Sequence, residues 1–316
     1  PPGCRYVNAG EKPYDDVDLI RSLTVSSDAY YYRIGESIYT RTDHRDTAIQ
    51  EAAGAYGLGL ETGITLPFEQ GGYMPTPANR RQRNELNPMA FPEWGWSTGD
   101  NVITAIGQGE VLVTPLQLAN AFATFANGGI RLSPNVVSRV VERDGSVVRQ
   151  FGPRVLSEVA IDPGFRWRVL EGLRGVTADE EGTAYQAFNS LATGGAYFPL
   201  ETYPVAGKTG TAEVRGKADT SLFAAFGPVL EPTFAIVAIL EEAGFGSKVA
   251  APLVARIMEK VVEGTVPEAP QASVRYARSV ALPLCLEWYE WRSGNTLDRL
   301  DAADTSSTAT GGPALD

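Results

Sequence analysis

The 316-residue sequence has little of what most metal- and acid–base-dependent enzymes rely on. It carries one histidine, His44, and two cysteines, Cys4 and Cys285. A mechanism needing a histidine base has a single candidate, and a multi-histidine metal site is excluded. The two cysteines are too few and too far apart for a zinc motif, and whether they are free or paired stays open. Cationic residues are also short: 27 Lys and Arg stand against 38 Asp and Glu, a formal net charge of -11. With no cationic surplus, neither a nucleic-acid backbone nor an anionic membrane surface is an expected partner. No apolar run is long enough to span a bilayer. The chain opens Pro1-Pro2-Gly3-Cys4, with neither methionine nor a basic, apolar leader. The expectation is a fragment whose N-terminal part lies elsewhere.

What is present is the balance of a soluble globular protein, 43% hydrophobic and 21% charged. A chain of this length buries a full core without disulfide or metal staples. Asp15 to Glu36 reads as one helix with Val17, Ile20, Leu23 and Ser27 along it. A second helix is expected from Asp46 as cap to about Tyr56, stopped by Gly57 and Gly59. Thr65 to Gly99, rich in Pro, Gly and Asn, reads as an irregular surface segment. Thr114 caps a helix to Ala126 with Pro115 at its first position and Leu116, Ala119, Ala123 and Ala126 on one face.

Val136–Arg143 and Ser146–Phe151 flank Asp144-Gly145 and predict a hairpin with a two-residue type I′ turn. Asp162-Pro163 opens a helix whose apolar face includes Phe165, Val169 and Leu173. Three strands follow, at about Pro204–Glu213, Ser221–Phe226 and Thr233–Glu241, the last two as antiparallel neighbours. Ser247 caps a final helix with Val249, Leu253, Ile257 and Val261 at spacing four. After Pro267 the pattern fades into a tail with too little apolar surface to fold. The expected division is therefore 1–266 and a poorly structured 267–316. No internal repeat is present.

Several motifs fail on inspection. A phosphate loop at Gly207-Lys208-Thr209 needs a glycine at position 202, which is Thr202. Gly57-Leu58-Gly59 and Gly107-Gln108-Gly109 lack the third glycine of a dinucleotide fingerprint, since Thr62 and Leu112 stand there. His44 lies in a charged stretch and reads as a surface residue. Phe91, Trp94 and Trp96 read chiefly as packing of the long loop. The stretch that survives is Ala206 to Glu213. Lys208 beside Thr209 offers a fixed cation and a hydroxyl donor, suited to a substrate carboxylate. Gly210 lets a ligand backbone lie close to the strand.

Lys208-Thr209-Gly210 on a strand, with Ser26-Ser27-Asp28 far upstream, resembles the pairing in serine enzymes that attack D-Ala-D-Ala peptides. The resemblance is to class B penicillin-binding proteins, monofunctional peptidoglycan D,D-transpeptidases. It runs from roughly Asn8 to Gly264 and includes Val17-Asp18-Leu19, Leu23 to Asp28, Gly107-Gln108-Gly109 through Thr114-Pro115, Ala126 to Gly129 and Gly207 to Glu213. It implies an α+β fold of the penicillin-binding protein and serine β-lactamase type, an antiparallel sheet with flanking helices, incomplete at the N-terminus.

By the same resemblance, Ser26 relays a proton between a catalytic lysine and the leaving amine. Asp28 stands where the family usually has Asn, a position touching the substrate amide; an ionised Asp only accepts hydrogen bonds. Lys208 raises the local positive potential, Thr209 binds the terminal carboxylate of the peptide, and the Thr211 N–H is one oxyanion-hole donor. No metal or organic cofactor is implied. The implied ligands are the D-Ala-D-Ala stem peptide and β-lactams, and the implied protein partners belong to cell-wall synthesis. The implied location is the extracytoplasmic face of the bacterial membrane, reached only through an anchor outside this chain.

One departure stands out. The family nucleophile is the serine of Ser-x-x-Lys, where lysine shares a helix face with serine and takes its proton. No serine in this sequence has lysine three positions later. The expectation is that the nucleophile precedes the chain, leaving it without the covalent step. The family's sheet has five strands and this sequence supplies three, so the strand at Thr233–Glu241 is expected to show an open edge. Two alternatives remain: a non-catalytic envelope scaffold of the same fold, and a β-lactamase or D,D-carboxypeptidase with water as acceptor.

Overall fold

The computed structural model describes residues 6–41, 47–189, 198–214 and 216–265. The readings of Cys4, His44, Asp46, Cys285 and the tail from 267 lie outside the described residues. The chain divides into two units, Pro1–Glu259 and Lys260–Asp316. The architecture below is that of the first.

The expected first helix is broken in two, α1 (Leu19–Thr24) and α2 (Asp28–Thr40). Asp18 caps α1 by accepting the Arg21 N–H. The break falls at Val25–Ser27 because Ser26 has φ +58°, which no helical residue can have. The helix α3 (Ala48–Ala55) ends, as expected, into Gly57 and Gly59, both at positive φ.

The segment expected to be irregular contains a helix, α4 (Pro77–Leu86), and runs into another, α5 (Thr98–Ala105). Each begins with a capping box, Thr76 with Asn79 and Ser97 with Asp100, and α4 has proline at its first turn. The local capping signal outweighed the breaker-rich composition. The helix α6 (Pro115–Ala126) starts at Thr114 as expected. Its buried face, however, is Gln117, Ala121, Thr124 and Ala126. Gln117 is buried because it is hydrogen-bonded. Its Oε1 accepts the Thr114 N–H at 2.8 Å, and its Nε2 donates to Leu60 O at 2.6 Å and Gly71 O at 2.7 Å, so one capping side chain also clamps the preceding loop.

The strands β1 (Ile130–Ser133) and β4 (Arg154–Glu158) pair antiparallel around the hairpin β2 (Arg139–Val141) and β3 (Val147–Gln150). The hairpin loop is longer than expected. Glu142 N–H donates to Ser146 O and Gly145 N–H to Glu142 O, leaving three residues in the loop. Only Gly145 has positive φ, whereas a type I′ turn needs it at both central positions.

Helix α7 (Pro163–Ala178) is capped by Asp162 as expected, but Phe165 is solvent-exposed and the buried face is Leu170, Leu173, Val176 and Thr177. After α8 (Tyr185–Asn189) come β5 (Ala206–Ala212), β6 (Thr220–Gly227) and β7 (Phe234–Leu240), antiparallel in the order β5-β6-β7. This is the antiparallel sheet with flanking helices that the sequence implied. Among the described residues β7 has β6 as its one strand partner, so its outer edge is open.

The core joins sheet to helices. Ala126, Leu170, Leu173, Ala206, Phe226 and Val229 form its buried centre, with Phe122 and Phe125 of α6 packed beside Phe226. Helix α9 (Ala250–Thr265) turns Ala251, Val254, Ala255 and Met258 inward, while Val249, Leu253 and Ile257 of the expected stripe are 36–44% exposed.

Candidate active site

Glycine sets the position of the Ser26 turn. A Cβ at Gly172 would lie 2.7 Å from Leu23 Cβ, and one at Gly175 would lie 2.3 Å from Thr24 Oγ1. Only hydrogen atoms at these positions let α1 and α7 cross so closely. Thr24 Oγ1 then donates to Gly172 O at 3.2 Å, and Thr177 Oγ1 on α7 donates to Val205 O at 2.7 Å, just before β5. Helix α7 therefore acts as a spacer that fixes the α1–α2 turn against β5.

The turn itself is held from several sides. Asn8 Oδ1 accepts the Ala29 N–H at 2.9 Å and the Ser27 hydroxyl at 3.4 Å, while the Tyr14 hydroxyl donates to Val25 O at 3.1 Å. The conformation at Ser26 is thus maintained by its surroundings. Across the gap, Lys208 Nζ donates to Ser26 Oγ at 2.6 Å and to Thr209 O at 2.9 Å. Two motifs 182 residues apart meet in one hydrogen bond.

Burial pulls the Lys208 ammonium down from its ordinary value to about 8, against the opposing attraction of Asp28. Asp28 lies at the first residue of α2 and accepts the Ala9 N–H at 3.0 Å on Oδ2. Burial is the strongest influence on its carboxyl and pushes it above the usual range, with the Ala9 N–H and Lys208 pulling the other way. A lysine that sheds its proton readily beside a hydroxyl is equipped to move protons near neutral pH.

Thr209 Oγ1 lies 2.7 Å from Thr183 Oγ1, a residue that sequence reasoning missed. Thr183 also donates its N–H to Thr24 O at 3.3 Å, so it touches both halves of the site. It is fixed by Gly182, where a Cβ would meet Gly175 O at 2.3 Å. No local signal singles out Gly182-Thr183. Gly210 faces Leu222 in the β5–β6 register, and a Cβ there would stand 3.3 Å from Leu222 Cβ.

The Thr211 hydroxyl accepts the Gly246 N–H at 3.3 Å, and its carbonyl accepts Gln108 Nε2 at 3.2 Å. Gln108, read from sequence as part of a turn, is thereby a side chain at the candidate site, presented between Gly107 and Gly109 at φ +73° and +76°.

The aromatic residues of the long segment lie on arginines. Arg80 stacks over Trp96 at 4.8 Å and Arg83 over Phe91 at 5.0 Å, with Arg80 also bonded to Asp100 and Glu110. This is the packing role expected of Phe91 and Trp96, while Trp94 is 60% exposed. Among the described residues no cluster of His, Cys, Asp and Glu is arranged to hold a metal ion, and no helix is long and apolar enough to cross a membrane.

The profile of the penicillin-binding protein transpeptidase domain matches residues 5–259. Peptidoglycan D,D-transpeptidase MrdA of Escherichia coli K12 is 29% identical over 285 residues, covering 83% of this chain and 40% of that protein. The crystal structure of Pseudomonas aeruginosa PBP2 in complex with WCK 5153 superposes with a TM-score of 0.65 at 27% identity, over 83% of this chain and 51% of that one. Helicobacter pylori PBP2 in complex with MreC shares the fold, with a TM-score of 0.61 at 24% identity, over 81% of this chain and 42% of that one. The chain spans about two fifths of the length of the curated relatives it matches.

Proposed function

Because this chain belongs to the penicillin-binding protein transpeptidase family, we propose that it forms the substrate-holding part of a peptidoglycan D,D-transpeptidase. The observation that carries the reading is the Lys208–Ser26 hydrogen bond, with the Thr183–Thr209 hydroxyl pair beside it. In this reading a stem peptide ending in D-Ala-D-Ala lies along β5. Its terminal carboxylate is held by the Thr209 hydroxyl near the Lys208 charge. Its scissile carbonyl points at the Thr211 N–H, a donor already in place when negative charge develops. Ser26, in contact with a lysine of lowered proton affinity, passes a proton to the departing D-Ala amine. An amine from a second stem then takes the acyl group and closes the cross-link.

The acyl group is carried by a serine outside these 316 residues, since none here is followed by lysine at the third position. β-Lactams are ligands of the same site. Residues 1–266 form the transpeptidase region and 267–316 a separate extension. The location is the outer face of the cytoplasmic membrane, and the protein partners are other cell-wall synthesis proteins, of the kind represented by MreC on Helicobacter pylori PBP2.

Intact-mass measurement after exposure to a penicillin tests the proposal, on a longer form that includes a Ser-x-x-Lys segment. One covalent adduct is expected, formed at least about tenfold more slowly when Lys208 is replaced by alanine. A folded longer form with no adduct would refute it.

A further inference from the structure

A serine becomes a nucleophile when its oxygen is held out on a constrained turn and a base touches it. Ser26 meets both conditions within this chain. It sits at the apex between α1 and α2 at φ +58°, a conformation rare outside glycine and reminiscent of strained turns that present a reactive oxygen. Its N–H donates to Leu23 O at 3.3 Å and the Ser27 N–H to Ser22 O at 2.9 Å, so the turn is closed by the backbone as well as by Asn8 and Tyr14. Lys208 Nζ lies 2.6 Å from the hydroxyl. Ser26 is only part-buried.

We infer that Ser26 and Lys208 form a serine–lysine pair that accepts an acyl group from an activated ester onto Ser26 Oγ, giving this chain a slow acyl-transfer activity of its own. Neutral Lys208 takes the Oγ proton as the Oγ–carbon bond forms. The carbonyl carbon then releases the alcohol oxygen with the electron pair of the broken C–O bond. Lys208 returns its proton to solvent, and in a second step water, deprotonated by neutral Lys208, hydrolyses the ester and restores the serine hydroxyl.

Burial supplies the neutral lysine. With its proton affinity lowered to about 8, the uncharged fraction of Lys208 rises from about a tenth at pH 7 to about nine tenths at pH 9. Asp28, from α2, is the charged group facing it, and its attraction favours the protonated form. The inference uses the two side chains of the proposed function but asks more of Ser26, which there only relays a proton.

The test is to incubate the 316-residue chain with p-nitrophenyl acetate, follow p-nitrophenolate release and locate the acetyl group by peptide mass mapping. Acetyl on Ser26 is expected, with a first-turnover rate that rises about tenfold from pH 7 to pH 9 and then levels off. Ser26→Ala and Lys208→Arg should each lose about tenfold or more, the latter because arginine keeps the charge but cannot serve as a base. Mapping on the unaltered chain keeps the answer independent of whether the variants fold. Acetyl on Lys208 Nζ, acetyl confined to Lys12, Lys217, Lys248 and Lys260, or a rate that follows hydroxide without levelling would each overturn the pair. Penicillin acylation of the longer form is a separate readout, so the pair can fail while the transpeptidase proposal stands.

Discussion

Lys208 should cost this protein stability at neutral pH, and replacing it by methionine should recover part of that cost. In the folded chain burial lowers its proton affinity from 10.5 to about 8. That difference corresponds to about 3 kcal/mol at about 1.4 kcal/mol per unit, an upper figure because the residue keeps some solvent contact. Below pH 8 the lysine is charged in both folded and unfolded chains, and the full burial cost is present. Between about 8 and 10.5 the unfolded chain holds a proton that the folded chain has released, so stability rises with pH through that window.

By pH 9.5 the cost has fallen to about 1 kcal/mol. Lys208→Met keeps an unbranched chain of similar length and removes the charge. It also strips Asp28 of its counter-charge, which trims the gain to about 2 kcal/mol at pH 7. The assay is urea unfolding of both proteins at pH 7 and pH 9.5, at low protein concentration. The variant should be the more stable at pH 7, with the advantage mostly gone at pH 9.5. A variant less stable at both pH values by the same margin would refute the argument, because the side chain would then be contributing packing rather than paying desolvation.

Other consequences follow from the packing. Arg80 is 8% exposed, bonded to Asp100 at 2.7 Å and Glu110 at 3.0 Å, and stacked on Trp96; Arg80→Ala should cost about 3 kcal/mol in urea unfolding, and a loss under about 1 would show the network to be ornamental. A Cβ at Gly246 would stand 2.3 Å from both Gly210 O and Leu222 O, backbone atoms that cannot step aside, so Gly246→Ala should destabilise by at least about 2 kcal/mol and disturb the amide signals of β5. An unshifted midpoint with unchanged β5 signals would mean that the loop yields freely. The open outer edge of β7 should make the isolated chain self-associate or melt at low temperature, read by light scattering against concentration. A monomer with a cooperative, high-temperature melt would contradict it.

The parts legible in the sequence were those with local causes. Thr114-Pro115 and Asp162-Pro163 announce helix starts because a capping oxygen and a fixed φ act within one turn. Turn residues such as Gly227, Pro228 and Pro232 set β6 and β7 apart as neighbours, and the Lys208-Thr209-Gly210 and Ser26-Ser27-Asp28 triplets pointed to the candidate site that the fold brings together. Even here locality misled where two local signals competed, as when the breakers of 65–99 hid the capping boxes of α4 and α5.

Tertiary structure decided the rest. Which stripe of α7 or α9 enters the core depends on what stands opposite, so exposed Phe165 and Leu253 look no different in sequence from buried Leu173 and Val254. The break at Ser26 exists because Asn8, Tyr14 and the α1–α7 glycine contact hold it, none of them adjacent. Thr183, Gln108 and Gly246 join the site only through contacts with a strand 26 or more residues away in sequence. The lowered proton affinity of Lys208 belongs to no motif. A residue's identity is local, but the water it loses on folding is set by every element packed around it.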